Sequence, residues 1–509
     1  MLEILDTTLR DGEQTAGVSF SHGEKLSIAK MLIEETGVDR LEIASARVSA
    51  GELEAATDIC TWARRNGHLG KVEILGFVDS GVSIDWIGRA GGKVLNLLAK
   101  GSLRHVTEQL HRQPEEHLAD IRANVDLATR RGLRVNVYLE DWSNGMLDSE
   151  DYVYYMIDNL REEPIERFML PDTLGVLSPE QALEFCGRVT RRYPGVKFDF
   201  HAHNDYDMAV ANVMAAVQGG VTGVHVTVNG LGERAGNAPL ASVVAVLNDM
   251  LRVPNSINEG RMNHVCRMVE SLSGVRIPDN KPIVGDSVFT QTAGVHADGD
   301  NKGNLYCNAL LPERFGRVRR YALGKLSGKA NIAKNLQELG MSLSGEQIRL
   351  VTQRVIELGD KKESLSTEDL PYIVADVLRG ALPSSAREVP DRIRVVNYSL
   401  SLTRGLKPVA TVRLSIDDQE YEETSRGDGQ YDAFMKALWK IYERLGRSHP
   451  RLVDYKVSIP PGGKTDALVE AVIVWDNEGQ ELRTRGLDAD QTEAAIKATV
   501  KMLNIIEIR

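Results

Sequence analysis

Cysteine is scarce in this chain. Its four residues (Cys60, Cys186, Cys266 and Cys307) never fall in CxxC spacing. That argues against a disulfide framework or a zinc ribbon and fits free thiols in a reducing cytoplasm. No apolar run is long enough to span a bilayer. Met1-Leu2-Glu3-Ile4-Leu5 has no basic n-region and no cleavage site, so a cytoplasmic location without a membrane partner is expected. Basic residues are not in excess: 61 Lys and Arg stand against 72 Asp and Glu, a net charge of −11, which suits solubility and recommends no nucleic-acid partner. A glycine-rich phosphate fingerprint is also missing where a dinucleotide fold would carry it. After the first apolar run stands Asp-Thr-Thr-Leu-Arg-Asp-Gly, ending at Gly12.

At 509 residues the chain is too long for one core, and two or three domains are expected. The first half alternates short apolar runs with longer amphipathic stretches. The runs are Leu2 to Leu5, Arg40 to Ile43, Val72 to Leu75, Val94 to Leu98, Arg134 to Leu139, Arg167 to Leu170, Lys197 to Phe200 and Gly223 to Val228. Eight βα units over roughly 250 residues match an α/β chain folded as a (β/α)8 TIM barrel. A doubly wound open sheet competes, but it needs the missing fingerprint. The barrel is assigned to residues 1–255. Residues 256–385 read as mostly helical, with a clear amphipathic helix from Gly345 to Leu358. Leu382-Pro-Ser-Ser-Ala-Arg reads as a linker. Residues 388–509 change to alternating strands followed by helical patterns at Tyr431–Leu445 and Asp490–Leu503, a twofold βββα arrangement in a separate α+β domain.

In such a barrel the chemistry collects at the C-terminal ends of the strands. His201-Ala-His203-Asn-Asp closes the seventh run. Side chains two apart on a strand share a face, so His201 and His203 can turn two imidazoles to one point, as a divalent metal requires. Asp11 at the end of the first strand supplies a carboxylate, completing a set that suits a catalytic metal with open positions. Arg10 beside it can hold a substrate carboxylate or stabilise an oxyanion; the plainer reading is a salt bridge to Asp11. Glu140, ending the fifth strand, is a candidate general base if its surroundings are dry. Thr173 after the sixth can bond a substrate carboxylate or cap its own turn. The glycine-dense loop Asn229–Asn237 brings backbone close to a ligand, and Asn237 can contact the metal or orient the histidines. Gly294–Gly299 places His296 and Asp298 on a polar segment, with Asn304 and Tyr306 after it.

Leu-Arg-Asp-Gly-Glu-Gln, His-Ala-His-Asn-Asp and Asn-Gly-Leu-Gly-Glu-Arg-Ala-Gly-Asn, in this order and spacing, resemble the 2-isopropylmalate, homocitrate and citramalate synthases. Val295-His-Ala-Asp-Gly and the tail carry the resemblance over essentially the whole chain. Asp39–Ser49, Asn136–Gly145, Gly299–Tyr306 and Gly427–Phe434 bring it nearest to the citramalate branch.

The resemblance implies a Claisen-type condensation of acetyl-CoA, as co-substrate, with a 2-oxo acid. Asp11, His201 and His203 would hold a divalent metal (Mn, Zn, Mg or Co). Arg10 and Thr173 would bind the 2-oxo acid, and Glu140 would act as base. His296, Asp298, Asn304 and Tyr306 would approach the acetyl-CoA side. A homodimer is implied, because in this family that region often reaches over the partner's barrel. The tail would bind isoleucine as effector through Tyr431, Asp432, Leu452, Tyr455, Ile459 and Val469; a domain used only for dimerisation is the plainer alternative. The pocket for the 2-oxo acid's side chain should be lined at strands three to five by Leu75, Leu98 and Tyr138. Their bulk points to pyruvate rather than 2-oxoisovalerate. The remaining alternatives are a 2-isopropylmalate synthase, a metal-dependent aldolase or lyase, and a non-catalytic amino-acid sensor.

Overall fold

The computed structural model describes residues 2–303, 305–339, 341–360, 365, 367, 370–371, 373–374, 377, 392–458 and 469–508. They form two compact units, one of Met1–Thr290 with Cys307–Arg320 and the other of Gln291–Tyr306 with Tyr321–Arg509. The linker expected at 382–387 lies outside the described residues.

In the first unit eight parallel strands close a barrel: β1 (Glu3–Asp6), β2 (Arg40–Ser45), β3 (Val72–Phe77), β4 (Val94–Lys100), β5 (Arg134–Glu140), β6 (Ile165–Asp172), β7 (Phe198–Ala202) and β8 (Gly223–Val226). Each of the eight apolar runs became one strand. The ring is completed by β1 on β8, from Glu3 opposite Gly223 to Asp6 opposite Val226. Some of the helices between the strands start where side chains satisfy their free N–H groups. Ser21 and Glu24 form a capping box for His22–Lys30, and Ser178 with Gln181 does the same for Pro179–Arg192. The helix Pro114–Arg130 buries Leu118, Ile121, Val125 and Ala128, spaced three or four apart, against the barrel wall. The helix Met262–Ser273 adds Met262, Val265, Cys266 and Val269 to the same core.

The wall is apolar but the barrel's interior is not. Arg40, Glu42, Glu73, Asn96, Asn136, Arg167, Asp199 and His225 are all buried. They meet one another inside the barrel, both between neighbouring strands and between strands that are not neighbours. Arg40 of β2 pairs with Asp199 of β7, Asn136 of β5 donates to Asn96 of β4 (2.8 Å), and Arg167 of β6 pairs with Asp199 (3.0 Å). Buried charges persist only when paired in this way.

In the second unit one core gathers Leu323, Ile332, Leu336, Val351, Val355 and Leu370 around the helices Lys329–Glu338 and Gly345–Asp360. The tail holds two antiparallel three-stranded sheets. The first is β9 (Ile393–Ser401), β10 (Val409–Ile416) and β11 (Gln419–Arg426), followed by the helix Gln430–Arg444. The second is β12 (Arg451–Ser458), β13 (Val469–Asn477) and β14 (Gln480–Asp488), followed by Gln491–Ile508. This is the twofold βββα order expected. Alternate residues of β13 are buried, so each sheet covers one face with a helix. All four cysteines are free thiols. Among the described residues no helix is long and apolar enough to cross a membrane.

Candidate active site

The turn after β1 and the end of β7 place Asp11, His201 and His203 together, all buried, with one ligand atom from each within 4.8 Å of the others. Among the described residues this is the only such cluster of three. His201 Nε2 lies 3.1 Å from Asp11 Oδ2 and 3.3 Å from His203 Nε2. Donors about 2.0–2.1 Å from one tetrahedral cation stand roughly 3.3 Å apart, so the spacing fits a shared ion. Three buried polar groups beside it lack partners: Asp11 Oδ1, His203 Nδ1 and both amide atoms of Asn237. Asn237 bridges His203 on the backbone. A buried amide with neither end satisfied is costly unless something binds there. The donor set and these orphaned atoms together fit a divalent metal.

The protonation states agree. Burial works against a charge on Asp11, but Arg10 and then His201 and His203 outweigh it and hold its carboxyl well below the usual carboxylate range. Burial first, and His201 second, push His203 down to about 3, leaving a neutral imidazole. An anionic carboxylate, as at Asp11, and a neutral imidazole, as at His203, are forms that ligate.

Arg10 is more than a partner for Asp11. Its Nη1 donates to Asp11 (3.1 Å), its Nε to Glu42 Oε2 (2.6 Å) and its Nη2 to the Tyr138 hydroxyl (3.3 Å). Tyr138 in turn packs with Leu5, Leu75 and Met169, and half-buried Leu98 joins them. The structure therefore gathers Leu75, Leu98 and Tyr138 into one apolar cluster that touches Arg10.

Glu140 faces Lys100 across the β4–β5 ladder and forms an ion pair with it. The next residue, Asp141, takes a left-handed backbone (φ 63°). Its N–H donates to Thr173 Oγ1 (2.9 Å), and its carboxylate meets His105 Nδ1 (2.8 Å) and Asn144 Nδ2 (2.7 Å). Thr173 Oγ1 thus accepts from the β5 turn, while its hydroxyl proton can still be donated to another acceptor. A cavity of about 730 Å³ opens beside this turn, lined by Ser102, His105, Asp141, Asn144 and Leu174 among others. In the 229–237 loop the glycines let the chain fold on itself: Gly236 has φ 83°, and a Cβ there would strike the Gly230 carbonyl.

His296 and Asp298 belong to the second unit. The polar segment that carries them is a helix, Gly294–Asn301. The His296 ring packs on Tyr306 with centroids 4.3 Å apart, and Asp298 accepts from Lys302 (2.7 Å). Asn304 lies outside the described residues. In the tail, Tyr431 and Tyr455 stack at 5.3 Å, and Asp432 accepts from the Asp428 backbone and from Lys436. Val469 begins β13, whereas exposed Leu452 pairs with Trp475 towards its other end. Ile459 lies outside the described residues.

Sequence reasoning missed Glu42 behind Arg10, Lys100 against Glu140, His105 against Asp141, and the pair Asp199 and His225 behind His201. One signal was present: polar residues at alternate positions in otherwise apolar strands, as in Arg40-Leu-Glu42 and Asp199-Phe-His201.

Residues 1–269 match the model of the HMGL-like family, 283–363 the homocitrate synthase post-HMGL domain-like model, and 364–507 the LeuA allosteric (dimerisation) domain. Over 100% of this chain and 97% of the relative, the sequence is 34% identical to the putative (R)-citramalate synthase CimA of Methanopyrus kandleri. The (R)-citramalate synthase CimA of Methanocaldococcus jannaschii is 34% identical over 99% of both chains. The chain belongs to the HMGL-like family of citramalate and 2-isopropylmalate synthases. A probable 2-isopropylmalate synthase of Methanopyrus kandleri is also 34% identical, over 99% of this chain and 98% of its own. Identity therefore fixes the family and leaves the choice of 2-oxo acid to the pocket.

Proposed function

We propose that this protein is an acyltransferase that condenses acetyl-CoA with pyruvate to give (R)-citramalate and CoA, in the cytoplasm, on the route to isoleucine. The observation that carries the reading is the position of the Leu75, Leu98 and Tyr138 cluster. It touches Arg10, which touches Asp11. A 2-oxo acid held by Arg10 and Thr173 would turn its side chain towards three bulky groups, leaving space for a methyl.

In this reading Glu140 takes a proton from the acetyl methyl, directly or through a water, and the resulting carbon attacks the ketone. The guanidinium of Arg10 offsets negative charge growing on the ketone oxygen. A divalent cation on Asp11, His201 and His203, with Asn237 beside it, supplies Lewis acidity toward the 2-oxo acid's oxygens. Water then cleaves the thioester, releasing CoA and making the sequence effectively irreversible. His296, Asp298, Asn304 and Tyr306 serve the acetyl-CoA side. The test is release of free thiol from acetyl-CoA, with kcat/KM compared for pyruvate and 2-oxoisovalerate. Faster turnover of the branched acid would assign the 2-isopropylmalate reaction instead. Cleavage without condensation would assign a lyase, and no turnover at all a sensor. Undiminished turnover after chelation would remove the metal from the mechanism.

The tail is proposed as a dimeric regulatory domain that binds isoleucine. Its support is the match of 364–507 to an allosteric dimerisation domain and the aromatic pair Tyr431 and Tyr455. A mostly apolar pocket with a few polar groups suits that amino acid.

A further inference from the structure

Behind His201, on the side away from Asp11 and His203, a second histidine stands in the barrel's interior. His225 Nδ1 lies 3.2 Å from His201 Nδ1, and His225 Nε2 lies 3.4 Å from Asp199 Oδ2. Both His225 and Asp199 are fully buried. Asp199 is also gripped by Arg40 and Arg167, so it is an anion and can only accept. The proton on His225 must then sit on Nε2, facing Asp199. A neutral imidazole carries one N–H, so Nδ1 of His225 is left as an acceptor.

Two groups approach that acceptor, His201 Nδ1 and the Tyr138 hydroxyl at 3.1 Å. Tyr138 has other partners: it receives Arg10 Nη2 at 3.3 Å and can turn its own proton to Glu42 at 3.5 Å. For His201 Nδ1, His225 is the acceptor at hand. The proton of His201 therefore belongs on Nδ1, and Nε2 keeps its lone pair. Nε2 is the nitrogen that faces Asp11 and His203.

We propose that His225, held by Asp199, is a positioning residue that sets the tautomer of His201 and so presents its Nε2 to the cation. Arg40 and Arg167 at the foot of the barrel thereby fix a lone pair at its mouth, through a line of contacts running Asp199, His225, His201. The inference rests on the metal-centre reading above and adds the source of one ligand's orientation. Groups that support a ligating histidine in this way typically change metal affinity 10–100-fold when removed.

The experiment uses the full-length protein. Long-range ¹H–¹⁵N spectra of histidine-labelled wild type, without metal, report each tautomer directly. They should show His201 protonated at Nδ1 and His225 at Nε2; the opposite tautomer at His201 overturns the proposal, whatever any variant does. Affinity for Mn²⁺ and for Zn²⁺, by competition with a chromogenic chelator, is then compared among wild type, His225→Leu and His225→Gln. The leucine variant should bind about 10–100-fold more weakly. The glutamine variant keeps an acceptor and should recover most of the loss. A folded leucine variant with unchanged affinity overturns the inference alone. Wild type that takes up neither cation overturns the metal-centre reading, and this inference with it.

Discussion

Glu42 accepts the Nε proton of Arg10 across 2.6 Å while itself fully shielded from solvent. Its other oxygen accepts from Asn96 at 2.7 Å. This carboxylate holds the guanidinium in place behind Asp11 and offsets its charge. Removing one member of a buried pair leaves the other charge uncompensated, at about 3–5 kcal/mol. Glu42→Ala should therefore lower the urea midpoint of the barrel transition and abolish most turnover. An unchanged midpoint would mean that Arg10 relies on Asp11 alone.

Glu140 is predicted to carry proton transfer without holding the metal. Glu140→Gln should lower kcat by about 10²–10⁴-fold, the usual range for a positioned base, with Mn²⁺ affinity as in wild type. Its present partner is Lys100. If the variant turns over normally, the base lies elsewhere, with His296 the next candidate.

Leu75 and Leu98 should set selectivity by volume. Leu75→Ala or Leu98→Ala opens space for a branched side chain, worth about 1–3 kcal/mol per methyl or methylene accommodated. The ratio of kcat/KM for 2-oxoisovalerate to that for pyruvate should rise at least about tenfold. Tyr138 is the poorer position for this test, because its hydroxyl also serves Arg10. A ratio that does not move would place these leucines in the core and out of the pocket.

His117 gives the barrel an acid sensitivity. Its Nε2 accepts the Lys100 backbone N–H at 3.1 Å, and burial pushes it down to about 4. The unfolded chain binds that proton near pH 6.5 and the folded one only near pH 4, so stability is fully present above 6.5 and falls as pH drops toward 4. The span corresponds to about 3 kcal/mol. His117→Gln, which can still accept from Lys100, should flatten urea midpoints measured between pH 4.5 and 7. Equal slopes in both proteins would assign the acid loss to other groups.

Truncation before the tail's first strand, β9, should leave condensation measurable and remove inhibition by isoleucine. Initial rates with and without isoleucine, alongside sedimentation of both forms, check this. Inhibition that survives truncation would place the effector elsewhere.

What the sequence determined by itself was local. Eight apolar runs became eight strands, because each strand buries one apolar face, as Leu41 and Ile43, Val135 and Val137, and Phe198 and Phe200 do, in the main core. Two histidines at i and i+2 shared a face because a strand has period two. The tail's change to alternating polarity announced sheets covered on one side. The identity of Asp11 as third member of the cluster was legible only because strand ends in a barrel converge on one mouth.

Tertiary structure decided everything that depends on which strands face each other across the barrel. Glu42, Asn96, Asp199 and His225 are polar residues in strands that read as apolar, and nothing in their neighbours along the chain names a partner. Their partners come from strands far away in sequence, as Asp199 does for Arg40 (159 residues apart). A charge is tolerated in that interior only when closure brings an opposite one within contact. That is why the three metal-ligand candidates were visible in the sequence, while the groups that orient and neutralise them appeared only once the barrel was closed.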